Sequence, residues 1–116
     1  MAKTPEGVIQ AYGMTRLKRR GCLVRKIGYE GRRGCPDLIV FVPMRPVNGI
    51  WPKEGDAGIW LPPITAFIEV KKDENTQPEE HQLREHERIR QHGGFVWVIG
   101  SKAQMDELVK ELFPCN

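Results

Sequence analysis

Phe67-Ile68-Glu69-Val70-Lys71 decides how this sequence is read. Side chains alternate across a strand, so Glu69 and Lys71 share one face, roughly 6.6 Å apart along the chain. Phe67, Ile68 and Val70 mark a core strand, where a carboxylate and an amine are costly to bury unpaired. The two charges therefore either pair at a sheet edge or carry chemistry. Cys35-Pro36-Asp37-Leu38-Ile39 weighs toward chemistry, because it places a second carboxylate, Asp37, where another apolar strand leaves a turn.

At 116 residues, 40% hydrophobic and 28% charged, the chain is expected to be one soluble globular domain spanning 1–116. No apolar run approaches a membrane span and no signal-peptide pattern is present. Cys22, Cys35 and Cys115 have no zinc-site spacing, which suggests reduced thiols in a cytoplasmic setting. The net charge is only +3, but its distribution is uneven. Lys3, Arg16, Lys18, Arg19, Arg20, Arg25, Lys26, Arg32 and Arg33 crowd the first third against Glu6 and Glu30. Such a block is either a solvated helix end with a polar loop or a surface for a polyanion such as a phosphate backbone.

Thr4-Pro5-Glu6 starts a helix with a capping hydroxyl, an early proline and an acid at the positive dipole end. Val8, Ile9, Tyr12 and Leu17 form its apolar stripe, and Gly21 stops it. Cys22–Tyr29 reads as a strand, Glu30–Gly34 as a turn, and Pro36–Val42 as a second strand buried on both faces. The 43–63 stretch is a long Pro- and Gly-rich insertion in which Ile50-Trp51 and Ile59-Trp60 suggest a small hairpin. Trp51 and Trp60 either pack on each other or stack on bases or a partner subunit. Ile64–Lys72 is the third strand. Thr76-Gln77-Pro78-Glu79 has the capping-box pattern for a helix running to about His92. Gln82, His86 and Ile89 fall on one side of that helix and suggest that it borders a wet cleft. Phe95–Ile99 is a fourth strand, and Lys102–Phe113 is a last helix with Met105, Leu108, Val109 and Leu112 as its buried stripe. The order is helix, three strands, helix, strand, helix, an α/β chain.

The acids of this chain that accompany apolar strands are Asp37 and Glu69, hard oxygen donors suited to Mg2+ or Mn2+. The Val70 carbonyl could add a third oxygen. Lys71 beside them offers a cation for a phosphate oxygen or an attacking water. A basic surface beside a hard-metal site suits phosphodiester hydrolysis better than work on a neutral substrate.

Gly34-Cys35-Pro36-Asp37-Leu38, Glu69-Val70-Lys71 and Gln82 together resemble the PD-(D/E)XK nucleases, and within them the VRR-NUC domains of phage and bacterial replication-repair nucleases. The resemblance runs from about Pro5 to Ile99. It implies a restriction-endonuclease-like core, αβββαβ, with a mixed four-stranded sheet flanked by helices. It implies that Glu6, Asp37, Glu69 and the Val70 carbonyl hold Mg2+ or Mn2+, that Lys71 is catalytic, and that Gln82 orients lysine or water. The expected activity is a DNA endonuclease, structure-selective on branched or junction DNA, acting as a homodimer in the cytoplasm of a bacterial or phage-infected cell. Arg16, Lys18, Arg19, Arg20, Arg32 and Arg33 are the expected phosphate contacts. The 43–63 insertion departs from the family pattern. Two rival readings are a non-catalytic DNA-binding module on the same fold and a contact protein that docks on a partner through Trp51 and Trp60.

Overall fold

In the computed structural model, which describes residues 4–28, 34–51, 53 and 58–114, the first helix is α1 (Pro5–Arg19). Thr4 Oγ1 accepts a hydrogen bond from the Gly7 N–H at 3.1 Å, and Pro5 fills a position whose N–H would be unbonded. The strand β1 (Leu23–Lys26) follows, shorter than the sequence pattern suggests. Tyr29 and the Glu30-Gly31-Arg32-Arg33 part of the next turn lie outside the described residues.

The chain continues through β2 (Leu38–Val42), the short strands β3 (Arg45–Pro46) and β4 (Trp60–Leu61), and β5 (Ile64–Val70). Then come α2 (Glu80–Gln91), β6 (Phe95–Ile99) and α3 (Lys102–Leu112). The main sheet has the order β1-β2-β5-β6. Its first two pairings are antiparallel and β5–β6 is parallel, so the sheet is mixed. A parallel pair needs a crossover, and α2 supplies it.

The face carrying Leu38, Val40, Ala66 and Ile68 packs against α1 and α3 in one core with Leu17, Met105 and Val109. Gly13 belongs to that contact: a β-carbon there would collide with the Met105 side chain, so the glycine lets α1 and α3 approach. The opposite face carries Phe67 and Glu69 and is covered by α2 only over the β5–β6 half. Phe41 on β2 is therefore 43% exposed, and the expectation that β2 is buried on both faces is corrected.

The insertion does form a small hairpin, but not where the tryptophans suggested. Arg45 pairs with Leu61 and Pro46 with Trp60. Arg45 explains the shift. Its buried guanidinium donates from Nη1 to the carbonyls of Pro62 at 2.7 Å and Pro43 at 3.2 Å, and from Nε to that of Leu112 at the end of α3. A cation at a helix C-terminus is favourable, so one side chain ties the insertion to the body. Trp51 and Trp60 pack edge to face with centroids 5.2 Å apart. Among the described residues, no helix is long and apolar enough to cross a membrane.

Candidate active site

The β2–β5 register pairs Leu38 with Ile68, and one further step sets Asp37 across from Glu69. Cross-strand neighbours share a face, so two acids distant in sequence meet. The Asp37 N–H donates to the Ile68 carbonyl at 3.0 Å, and Asp37 Oδ2 accepts from the Val70 N–H at 2.6 Å. The aspartate thus finishes the ladder with its side chain. Its carboxyl is hydrogen-bonded to that of Glu69, which is 3% exposed. Burial first, then the hydrogen bond to Asp37 and its charge, pushes Glu69 from 4.5 up to about 8, while Lys71 pulls it back. Near neutral pH Glu69 therefore keeps its proton, as expected for like-charged acids forced together away from water.

On the other side of Glu69, α2 supplies two partners. Gln82 and His86 are one turn apart, about 6 Å along the helix. That nearly matches the rise of roughly 6.6 Å between Glu69 and Lys71 on the strand. Two rungs result. Lys71 Nζ donates to Gln82 Oε1 at 2.6 Å, and His86 Nε2 lies 3.3 Å from Glu69 Oε1. Gln82 Oε1 also accepts from the Glu79 N–H at 2.8 Å, so the residue that holds Lys71 is itself held by the helix start.

That start corrects the sequence reading. The capping box is Glu79 with Gln82, not Thr76 with Glu79. Asp73 Oδ1 accepts from the Asn75 N–H, the Thr76 N–H and the Thr76 hydroxyl, which holds Thr76 in a local turn and delays the helix. The expected wet cleft is also corrected at its inner end, since His86 is 1% exposed. Burial, together with Arg90 and Lys71, lowers the His86 pKa below its usual 6.5, against a smaller opposing effect of Glu85. The Glu69–His86 contact therefore joins neutral groups and is not an ion pair. Sequence reasoning placed His86 beside Gln82 but did not pair it with Glu69; the available signal was the four-residue spacing.

Gly34 seats the turn that carries Asp37. Its φ is +87°, and a β-carbon there would lie 2.7 Å from the His81 carbonyl oxygen in α2. Glu6 lies in the first turn of α1, in the layer across the sheet from α2, and makes no hydrogen bond or ion pair among the described residues. No group of three or more His, Cys, Asp or Glu side chains that could hold a metal ion is found among the described residues.

The basic cluster sits at the other end of the sheet. Cys22 N–H bonds to the Leu17 carbonyl and Leu23 pairs with Phe41, so the last turn of α1 lies where β2 ends. The acids lie where β2 begins. Arg16 is paired with Asp106 at 3.2 Å, and the Arg20 guanidinium lies over the Phe113 ring at 5.5 Å. Lys18 and Arg19 are exposed. Arg32 and Arg33 lie outside the described residues.

A mixed sheet with flanking helices, ending in a carboxyl pair beside a lysine, matches a PD-(D/E)XK-like core. No protein-family model and no curated protein matches the chain. A solved structure of a VRR_NUC domain is 45% identical to it, over 93% of this chain and 97% of that one, with a TM-score of 0.70. The chain belongs to the VRR-NUC family.

Proposed function

We propose that this chain is a Mg2+- or Mn2+-dependent endonuclease that hydrolyses phosphodiester bonds in DNA. The observation that carries the reading is the Asp37–Glu69 carboxyl contact beside a lysine fixed on Gln82. Family membership supports it.

The donor set suits a hard divalent cation. Two crowded carboxyls concentrate negative charge that such an ion offsets. Asp37, Glu69 and the Val70 carbonyl would hold it; Glu6, in the layer across the sheet from α2, is not brought to them. The N–H and C=O of a strand residue leave on the same edge, and the Val70 N–H is already aimed at Asp37. When bound, the ion makes a water more acidic and screens phosphate charge. Lys71 points to the same face as Glu69, where its ammonium positions the attacking water and offsets charge growing on the phosphate oxygens. Gln82 keeps that ammonium from swinging into solvent.

Lys18, Arg19 and Arg20, with Arg16, Arg32 and Arg33, bind phosphates without reading sequence. One chain has one such centre, so paired cuts on a symmetrical junction need two copies. The finer reading is thus a homodimer selective for branched DNA.

The test is cleavage of branched, flapped and linear DNA with and without Mg2+ or Mn2+, with Lys71→Ala as control. The parent cuts only with metal, and the variant folds and binds DNA but does not cut. Equal cutting by the variant refutes the assignment. DNA binding without cleavage in either metal favours the non-catalytic module.

A further inference from the structure

At the end of the sheet away from Asp37 and Glu69, a cavity of about 230 Å³ opens between the last turn of α1, the start of the insertion and the residues after α3. Arg19, Arg20, Arg45, Trp51 and Phe113 line it, and no carboxylate does so among the described residues. Arg45 is buried on backbone carbonyls, and both its guanidinium and that of Arg20 lie within 6 Å of the Phe113 ring centre, at 5.8 and 5.5 Å. Arg19 and Arg20 make no ion pair among the described residues. Trp51 is held edge to face against Trp60 yet stays 68% exposed, so its ring is oriented while most of it faces solvent.

Walls that are cationic on one side and aromatic on the other suit a ligand that is anionic at one end and planar and apolar at the other. For a protein that acts on DNA, that ligand is a nucleotide. We propose that the cavity receives one unpaired nucleotide of the DNA substrate, with its base on Trp51 and its phosphate on Arg19 and Arg20. The proposal rests on the DNA-binding part of the function proposed above and gives it a source of structure selectivity. A base stacked in a duplex cannot enter, whereas an extrahelical or single-stranded one can.

The experiment measures fluorescence anisotropy of a labelled hairpin duplex in metal-free buffer, so that no cutting interferes. The duplex ends in one unpaired thymidine, in one abasic unit, or flush. The parent is expected to bind the thymidine end about tenfold more tightly than the abasic end. Trp51→Ala removes that preference, Trp51→Phe keeps most of it, and the double variant Arg19→Ala/Arg20→Ala weakens binding of all three duplexes. Equal binding of thymidine and abasic ends by the parent, or an undiminished preference in Trp51→Ala, overturns the proposal. So does finding that Trp51→Ala instead lowers the mass of the particle in light scattering while the parent shows no base preference, since the cavity then meets a second copy. Base preference without metal-dependent cleavage would sink the nuclease reading and leave this proposal standing. Metal-dependent cleavage without base preference would do the reverse.

Discussion

Glu69 and His86 are both buried and meet at 3.3 Å between Oε1 and Nε2, yet both are held neutral. The metal-free chain should register this as a pH-dependent stability. Glu69 in the folded chain keeps a proton, up to about pH 8, that the unfolded chain gives up near 4.5. The native state then binds more protons, so stability falls as pH rises through that window, by ~1.4 kcal/mol at most for each pH unit. His86 acts in the opposite direction: its folded pKa is lowered, so stability is lost as pH falls below the ordinary 6.5. Above pH 6.5 the Glu69 effect acts alone of the two, and below it they oppose each other. Thermal unfolding in EDTA should show the midpoint dropping from roughly pH 6 to about pH 8. Glu69→Gln should flatten that limb; an unchanged slope in the variant rules out Glu69 as its source.

A divalent ion held by Asp37 and Glu69 must displace the Glu69 proton. Mn2+ affinity should therefore climb with pH and level off near 8, the value to which burial and Asp37 raise Glu69. Calorimetric titration in two buffers of different ionisation enthalpy should report close to one proton released per ion below that pH. Release of no proton, or an affinity indifferent to pH, would separate the ion from Glu69.

Gln82 supports Lys71 and the first turn of α2 with one oxygen. Gln82→Ala should cost ~1 kcal/mol of stability through the lost cap. Its effect on cleavage should be larger, about tenfold or more in kcat, because Lys71 is no longer aimed. Gln82→Glu keeps the accepting oxygen and should recover most of the rate. A variant that loses stability alone would make Gln82 a capping residue only.

Gly34→Ala tests whether the Asp37 turn is seated on α2. The substitution meets both a positive φ and the His81 carbonyl, and should cost about 1–3 kcal/mol. Cleavage at saturating metal should fall with it, because Asp37 moves with the turn. Chemical denaturation and cleavage rates measured on the same preparation would check both.

The long apolar strands were legible because runs such as Phe95-Val96-Trp97-Val98-Ile99 between glycines have few other uses. The Glu69–Lys71 side of the site was legible because strand alternation alone puts both on one face. Asp37 beside Glu69 was not a matter of spacing; it needs the β2–β5 register, which local pattern does not specify. The start of α2 was misread because Asp73 claims Thr76 before the helix can. The hairpin position was misread because it follows Arg45, whose partners lie 17 and 67 residues away. His86 read as bordering a wet cleft with Gln82, and only the fold shows it closed off from water against Glu69.

Arg45 gives the last prediction. Its guanidinium is buried without a carboxylate partner among the described residues, and burial lowers its pKa. It persists there because three backbone carbonyls, of Pro43, Pro62 and Leu112, accept from it and satisfy its donors. Arg45→Ala removes the donors and leaves those carbonyls short of partners, at a cost of about 3 kcal/mol. Arg45→Lys should recover little, since an ammonium cannot reach three carbonyls arranged for a planar fork. The damage should stay at this end of the sheet. Amide exchange should quicken in residues 43–51 and in the last turn of α3, while β5 near Glu69 and the first turn of α2 stay protected. Uniform loss of protection across the sheet would mean instead that Arg45 supports the whole domain rather than the attachment of the insertion.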